Sequence, residues 1–89
     1  MTDQEASVLA AIARGRLIYP FLEEMRGLQE LATKTELASY ETARLKALEQ
    51  NFAKIKTKDE WFHSAMASGN IEAAGRVAEE VLAIIKEVA

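Results

Sequence analysis

The stretch IEAAGRVAEEVLAIIKEV, from Ile71 to Val88, decides the fold. Ile71, Ala74, Ala78, Val81, Ile85 and Val88 recur at 3-4-3-4-3 spacing, the seam by which helices pair. Val77, Leu82 and Ile84 widen that seam to about half the circumference, and Glu72, Arg76, Glu79, Glu80, Lys86 and Glu87 fill the other half. A helix so broadly apolar needs more than one neighbour. Ala74, Gly75 and Ala78 leave room near its start for a second backbone to come close. The seam therefore either fills the middle of the chain's own bundle or gives part of its face to a second copy or a partner. On the second reading Val77, Val81, Ile84, Ile85 and Val88 are contact residues, with the acidic pair Glu79 and Glu80 beside them.

Immediately upstream, Ser68-Gly69-Asn70 punctuates the chain: glycine suits the left-handed position after a helix, and asparagine caps the next one. Thr57-Lys58-Asp59-Glu60 reads as the start of a short helix carrying Trp61, Phe62, Ala65 and Met66. Consecutive rings diverge by about 100° on a helix, so one of Trp61 and Phe62 enters the core while the other covers an edge or stays exposed. An exposed ring beside Met66 is an interface anchor. Trp61, Phe62 and Met66 thus join the candidate contact residues.

Farther upstream, Leu37, Ala38, Leu45, Leu48, Phe52 and Ile55 share one face. Glu41 falls within it, either as a functional carboxylate, paired with Arg44, Lys34 or a cation of another helix, or at the edge of the stripe. Thr33-Lys34-Thr35-Glu36 has the form of a capping box and favours a break near residues 32–35, with one long helix as the alternative. The first helix starts at the capping box Thr2-Asp3-Gln4-Glu5. Val8, Ala11, Ile12, Gly15, Ile18, Tyr19 and Leu22 form its stripe, whereas Phe21, Met25 and Leu28 sit roughly 90° round from it. Pro20 lies at the changeover, so a kink or interruption near Ile18–Pro20 is expected.

Alanine, the best helix former, supplies 16 of the 89 residues, against four glycines and one proline. No stretch alternates in the manner of a strand, and no Asn-Gly or Asp-Gly hairpin turn is present. The expected fold is all-α: a small helical bundle of three to five helical segments over residues 1–89, with a kinked N-terminal helix and an amphipathic C-terminal helix. A single domain of this size sits near the lower end of what folds alone, which argues for a second copy or a partner.

Zero cysteines exclude a disulfide framework, a thiolate metal site and a cysteine nucleophile. No apolar run reaches the roughly 18–20 residues needed to span a membrane, and the N-terminus lacks a signal sequence, so a cytoplasmic protein is expected. Charge is uneven: the balance is −2 over residues 1–30, +3 over 31–58 and −4 over 59–89. A basic middle helix packed between acidic ones accounts for this, as does an acidic C-terminal face offered to a basic partner.

Three chemistries compete with a purely structural role. Glu60 and His63 have the i, i+3 spacing of a ferritin-like carboxylate half-site, which a dimer could double. The cluster Lys54, Lys56 and Lys58 offers a weak nucleic-acid surface, but the helix after Gly69 begins Ile71-Glu72 and carries Glu79 and Glu80, a face that phosphate repels. Catalysis has only Ser64 or Ser68 near the single histidine, and there is no glycine-rich phosphate loop. Adjacent acids such as Glu23-Glu24 and Glu79-Glu80 point apart on a helix. The expectation is a non-enzymatic module for protein–protein interaction, an adaptor, assembly factor or inhibitor, with no cofactor. It is expected to self-associate as a homodimer through amphipathic helices, the C-terminal or the first.

Overall fold

The computed structural model describes residues 2–89. They form three helices, α1 (Asp3–Lys34), α2 (Ser39–Ala67) and α3 (Ile71–Glu87). Arg14 pairs with Asp59, Glu24 with Arg44 and Gln29 with Glu49, so α1 and α2 run antiparallel as a long hairpin. α3 returns along α2 and lies beside both arms, which touch each other far less than they touch it. At 17 residues it is about half as long as α1, and it runs from Ser7 at the open end of the hairpin to Pro20, Glu24 and Arg44 farther along.

Local chemistry sets the element ends. At the start of α1 the Glu5 amide donates to Thr2 Oγ1 at 3.1 Å, and the Thr2 hydroxyl in turn donates to the Glu5 carboxylate. α2 ends in a Schellman motif: the Gly69 amide donates to the Met66 carbonyl and the Asn70 amide to Ala65, with Gly69 at φ +77°. Asn70 Oδ1 then accepts from the Ala73 amide at 3.1 Å and caps α3. Both turn residues do what their sequence positions imply.

The break expected near residues 32–35 is present, whereas the helix starts expected at Thr33 and Thr57 are not. α1 ends at Lys34, and residues 35–38 form the hairpin loop, so the box at Thr33 does not open the next helix. The Thr33 hydroxyl instead donates to the Glu30 carbonyl. The amide at the head of α2 is Ala38, which donates to Glu41 Oε1 at 2.9 Å. Glu41 is therefore a capping acid at the edge of the stripe. No helix begins at Thr57, because α2 runs unbroken past it. Leu48, Ile55 and Phe62 occupy one face on both sides of that residue, and burying them together outweighs a local capping signal. Likewise α1 passes Pro20 without interruption.

The core tapers. At one end Ala10, Phe62, Ala74 and Ala78 meet; at the other, Ile18, Phe21, Met25, Leu48, Ile55, Val81, Ile84 and Ile85. Small residues of α3 at the narrow end let it press against α1. A Cβ built on Gly75 would lie 2.4 Å from Ser7 Cβ and 2.5 Å from Ser7 Cα, so this position admits only glycine without movement. Side chains of α2 serve the far end of α3. Buried Asn51 donates to the Ile84 carbonyl and the Glu87 carboxylate, both at 3.0 Å, and Arg44 donates to the Val88 carbonyl. These partners satisfy backbone acceptors that the end of a helix leaves open.

Among the described residues no helix is long and apolar enough to cross a membrane.

Candidate functional site

The seam of α3 is occupied from within. Val81, Ile84 and Ile85 are buried, and Val77 and Val88 are half-buried against the same clusters. These five residues line the space between α1 and α2, so Val81, Ile84 and Ile85 are interior in the monomer while Val77 and Val88 keep part of their surface open. A side chain that is already interior offers a partner nothing without unfolding. Glu79 and Glu80 remain outside, with Glu80 2.9 Å from Lys58. Lys54 approaches Glu87 at 3.7 Å, so two cations of the basic middle helix face acids of α3. That arrangement accounts for the uneven charge along the chain.

Of the aromatic pair, Phe62 goes inside and Trp61 stays out. Arg14 stacks on the Phe62 ring at 4.3 Å and holds Asp59 through Nε at 2.9 Å and Nη2 at 2.7 Å. This half-buried arginine links the hairpin arms at the narrow end, across 45 positions of sequence. Trp61 is 55 % exposed with the Lys58 ammonium 4.9 Å from its ring centre. Met66 lies elsewhere, in a shallow groove with Val8, Ala11, Ile12, Phe62, Ile71 and Ala74. The two exposed members of the predicted anchor therefore do not meet.

Glu60 and His63 are both exposed, and His63 packs edge-on against Phe62. Among the described residues no three histidine or acidic side chains gather where they could share a metal ion. Arg44 makes the main exposed ion pair, with Nε at 2.6 Å from one Glu24 oxygen and Nη2 at 2.9 Å from the other. That hydrogen bonding holds the Glu24 carboxyl below the usual range and raises Arg44 correspondingly.

The largest collection of exposed apolar side chains is on α1, where Leu9, Ile12 and Tyr19 face away from the bundle and Val8 and Leu17 open at grooves beside it. Val8 is 42 % exposed, Leu9 51 % and Ile12 47 %, with Leu17 and Tyr19 also open. The groove holding Met66 borders this face along Val8 and Ile12, and Ala13 and Arg16 border it on the other side. The sequence pattern puts Val8, Ile12 and Tyr19 on one inward stripe with Ala11, Ile18 and Leu22; the helix divides them. Ile18, Phe21 and Met25 set the buried direction, and at about 100° per residue Ile12 and Tyr19 turn away from it, while Val8 lies at roughly a right angle, at the edge of the bundle. The available signal was the 90° offset between the two stripes. On an unbroken helix such an offset means two separate apolar faces, one of which has no internal partner.

Compared with known proteins, the chain matches no family model, no curated protein and no solved structure. Its class is defined by the architecture alone: a helical hairpin closed by a shorter third helix.

Proposed function

We propose that this chain is a non-enzymatic protein-binding module whose contact surface is the outer face of α1 over its first half. One observation carries the reading. Val8, Leu9 and Ile12 lie together on a single face and are each more than two-fifths exposed, although the chain buries or half-buries every seam residue of α3. Contiguous exposed apolar side chains bordered by polar ones are the mark of an interaction surface. Glu5 and Arg16 provide that border on the helix itself. The surface is convex and built on a rigid helix, which suits a helix or groove of another protein better than a small molecule, whose sites are concave. Adaptor, assembly factor and inhibitor are all roles such a face can serve.

The test is site-specific photocrosslinking in cells producing the protein. A photoreactive residue at Leu9 is expected to form a protein adduct, whereas the same residue at Glu72, on the outer face of α3, is not. Equal yields at the two positions, or none at Leu9, overturn the reading. A companion variant, Leu9→Lys with Ile12→Lys, should lose the adduct formed from a photoreactive residue at Val8. Because both side chains are substantially exposed, its stability should stay within about 0.5 kcal/mol of wild type.

A further inference from the structure

We infer that the occupant of the α1 face is a second copy of this chain, with the two α1 helices antiparallel and the two-fold axis passing between the levels of Ala10 and Ala11. This rests on the binding face proposed above and adds its partner and its register.

The order of the residues along the face specifies the partner. Glu5, Leu9, Ile12 and Arg16 follow 4-3-4 spacing, all on the outward side, and none is buried. Spacing of this kind keeps four residues in line along a helix-pairing seam. The set reads acidic, apolar, apolar, basic. Reversed, it reads basic, apolar, apolar, acidic, which is its own complement. An antiparallel copy sets Glu5 opposite Arg16, Leu9 opposite Ile12, and by symmetry repeats both pairings. A two-fold interface requires this property, since one patch must match itself.

Other registers fail on the same residues. A parallel pair aligned in register puts Glu5 against Glu5 and Arg16 against Arg16. An antiparallel pair slid by one heptad puts Glu5 against Glu23 and Ile12 against Arg16. Like charges brought together across an interface disfavour those arrangements. Within the monomer, neither Glu5 nor Arg16 has an ion-pair partner among the described residues, so both are available. Next to the seam, Val8 falls opposite Ala13 and Tyr19 opposite Thr2. The paired stretch, residues 2–19, spans about 27 Å at 1.5 Å per residue. A contact made by one helix from each copy lies at the low end of specific interface sizes, so the dimer is expected to dissociate on dilution.

Light scattering and sedimentation over a hundredfold concentration range should show a reversible monomer–dimer equilibrium. Glu5→Arg and Arg16→Glu should each weaken it about tenfold, because each replaces two attractions per dimer by two repulsions. The double variant Glu5→Arg/Arg16→Glu should recover wild-type dimerisation, and an equimolar mixture of the two single variants should form heterodimers. The chain has no cysteine, so Leu9→Cys and Ile12→Cys give clean probes. Mixed and oxidised, they should yield the 9–12 disulfide in excess over the 9–9 and 12–12 species. A dimer in which the double swap fails to recover, or in which like-with-like disulfides prevail, overturns the register. A monomer at every concentration overturns the second copy. If the Leu9 photocrosslink then still captures another protein, the binding face survives without it; if it captures nothing, both readings fall.

Discussion

Adding one methyl group at Gly75 places a carbon 2.4 Å from Ser7 Cβ, 2.5 Å from Ser7 Cα and 2.6 Å from Ser7 Oγ. Carbon atoms in contact settle at about 3.5–4.0 Å, so α1 and α3 must separate by about 1 Å to admit it. The clash with the Ser7 backbone matters most, because a side-chain rotation cannot relieve it. Separation also loosens Ala10, Phe62, Ala74 and Ala78, the narrow end of the core. Overpacking of this kind costs about 1–3 kcal/mol, while replacing a mid-helix glycine by alanine returns about 1 kcal/mol. The net expectation for Gly75→Ala is a loss of up to about 2 kcal/mol. In a domain of this size each kcal/mol corresponds to roughly 4–8 °C in Tm. Gly15→Ala is the matched control. Nothing lies within 4 Å of its Cβ, so it should gain about 0.5–1 kcal/mol from the same change. Urea denaturation followed by circular dichroism, at one protein concentration low enough to keep the chain monomeric, measures both. Ser7→Gly added to Gly75→Ala should recover part of the loss, since it removes two of the three offending atoms and leaves the backbone carbon. Equal stabilisation by Gly75→Ala and Gly15→Ala would refute the close approach of α1 to α3.

Arg14→Met should cost about 2–3 kcal/mol, below the roughly 3–5 for a fully buried pair. It leaves Asp59 unpaired in a site where the two side chains are only 11 % and 21 % exposed. Asn51→Leu should cost about 1–3 kcal/mol by leaving the buried Ile84 carbonyl without its donor, and amide exchange should quicken first in the last turn of α3. The Glu24–Arg44 pair makes a small pH-dependent contribution. Its hydrogen bond lowers the folded carboxyl, so the stabilisation is present above the unfolded value of about 4.3 and fades as pH falls through the lower folded one. Both groups are more than a third exposed, so the stability gap between wild type and Arg44→Ala should narrow on acidification by only a few tenths of a kcal/mol. Denaturation midpoints at pH 7 and near pH 3 check it.

The parts of the fold written in short sequence windows were readable. The 3-4 spacing from Ile71 to Val88, the Gly69-Asn70 turn and the small residues at Gly75 each specify their own geometry. Capping signals were less reliable. The box at Thr2 is used, while those at Thr33 and Thr57 are not, because a threonine followed by glutamate three residues later permits a helix start without forcing one. At Thr57 the decisive factor is the common face of Ile55 and Phe62, and at Thr33 it is the need to turn the chain where α2 can cover α1. Contacts between distant positions left no sequence trace. Arg14 on Asp59 and Asn51 on the end of α3 are set by the packing of whole helices. The outer face of α1 falls between these cases: its residues stand out in the sequence, but as part of one stripe with the buried ones. An unbroken helix carries two stripes, and only the direction of Phe21 and Met25 tells which one is inside.

The taper of the core has a consequence for the register of α3. A helix lying between two others could slide by a turn with little change in the kind of surface it buries. Here a slide of three or four residues brings Ile71, Glu72, Ala78 or Glu79 to the place of Gly75, and every one of them carries a Cβ into Ser7. It also drives Val81 toward space sized for alanine, or leaves an alanine where Val81 filled the wide end. α3 therefore fits like a key with one notch, and the chain is held to a single alignment by the absence of one carbon atom.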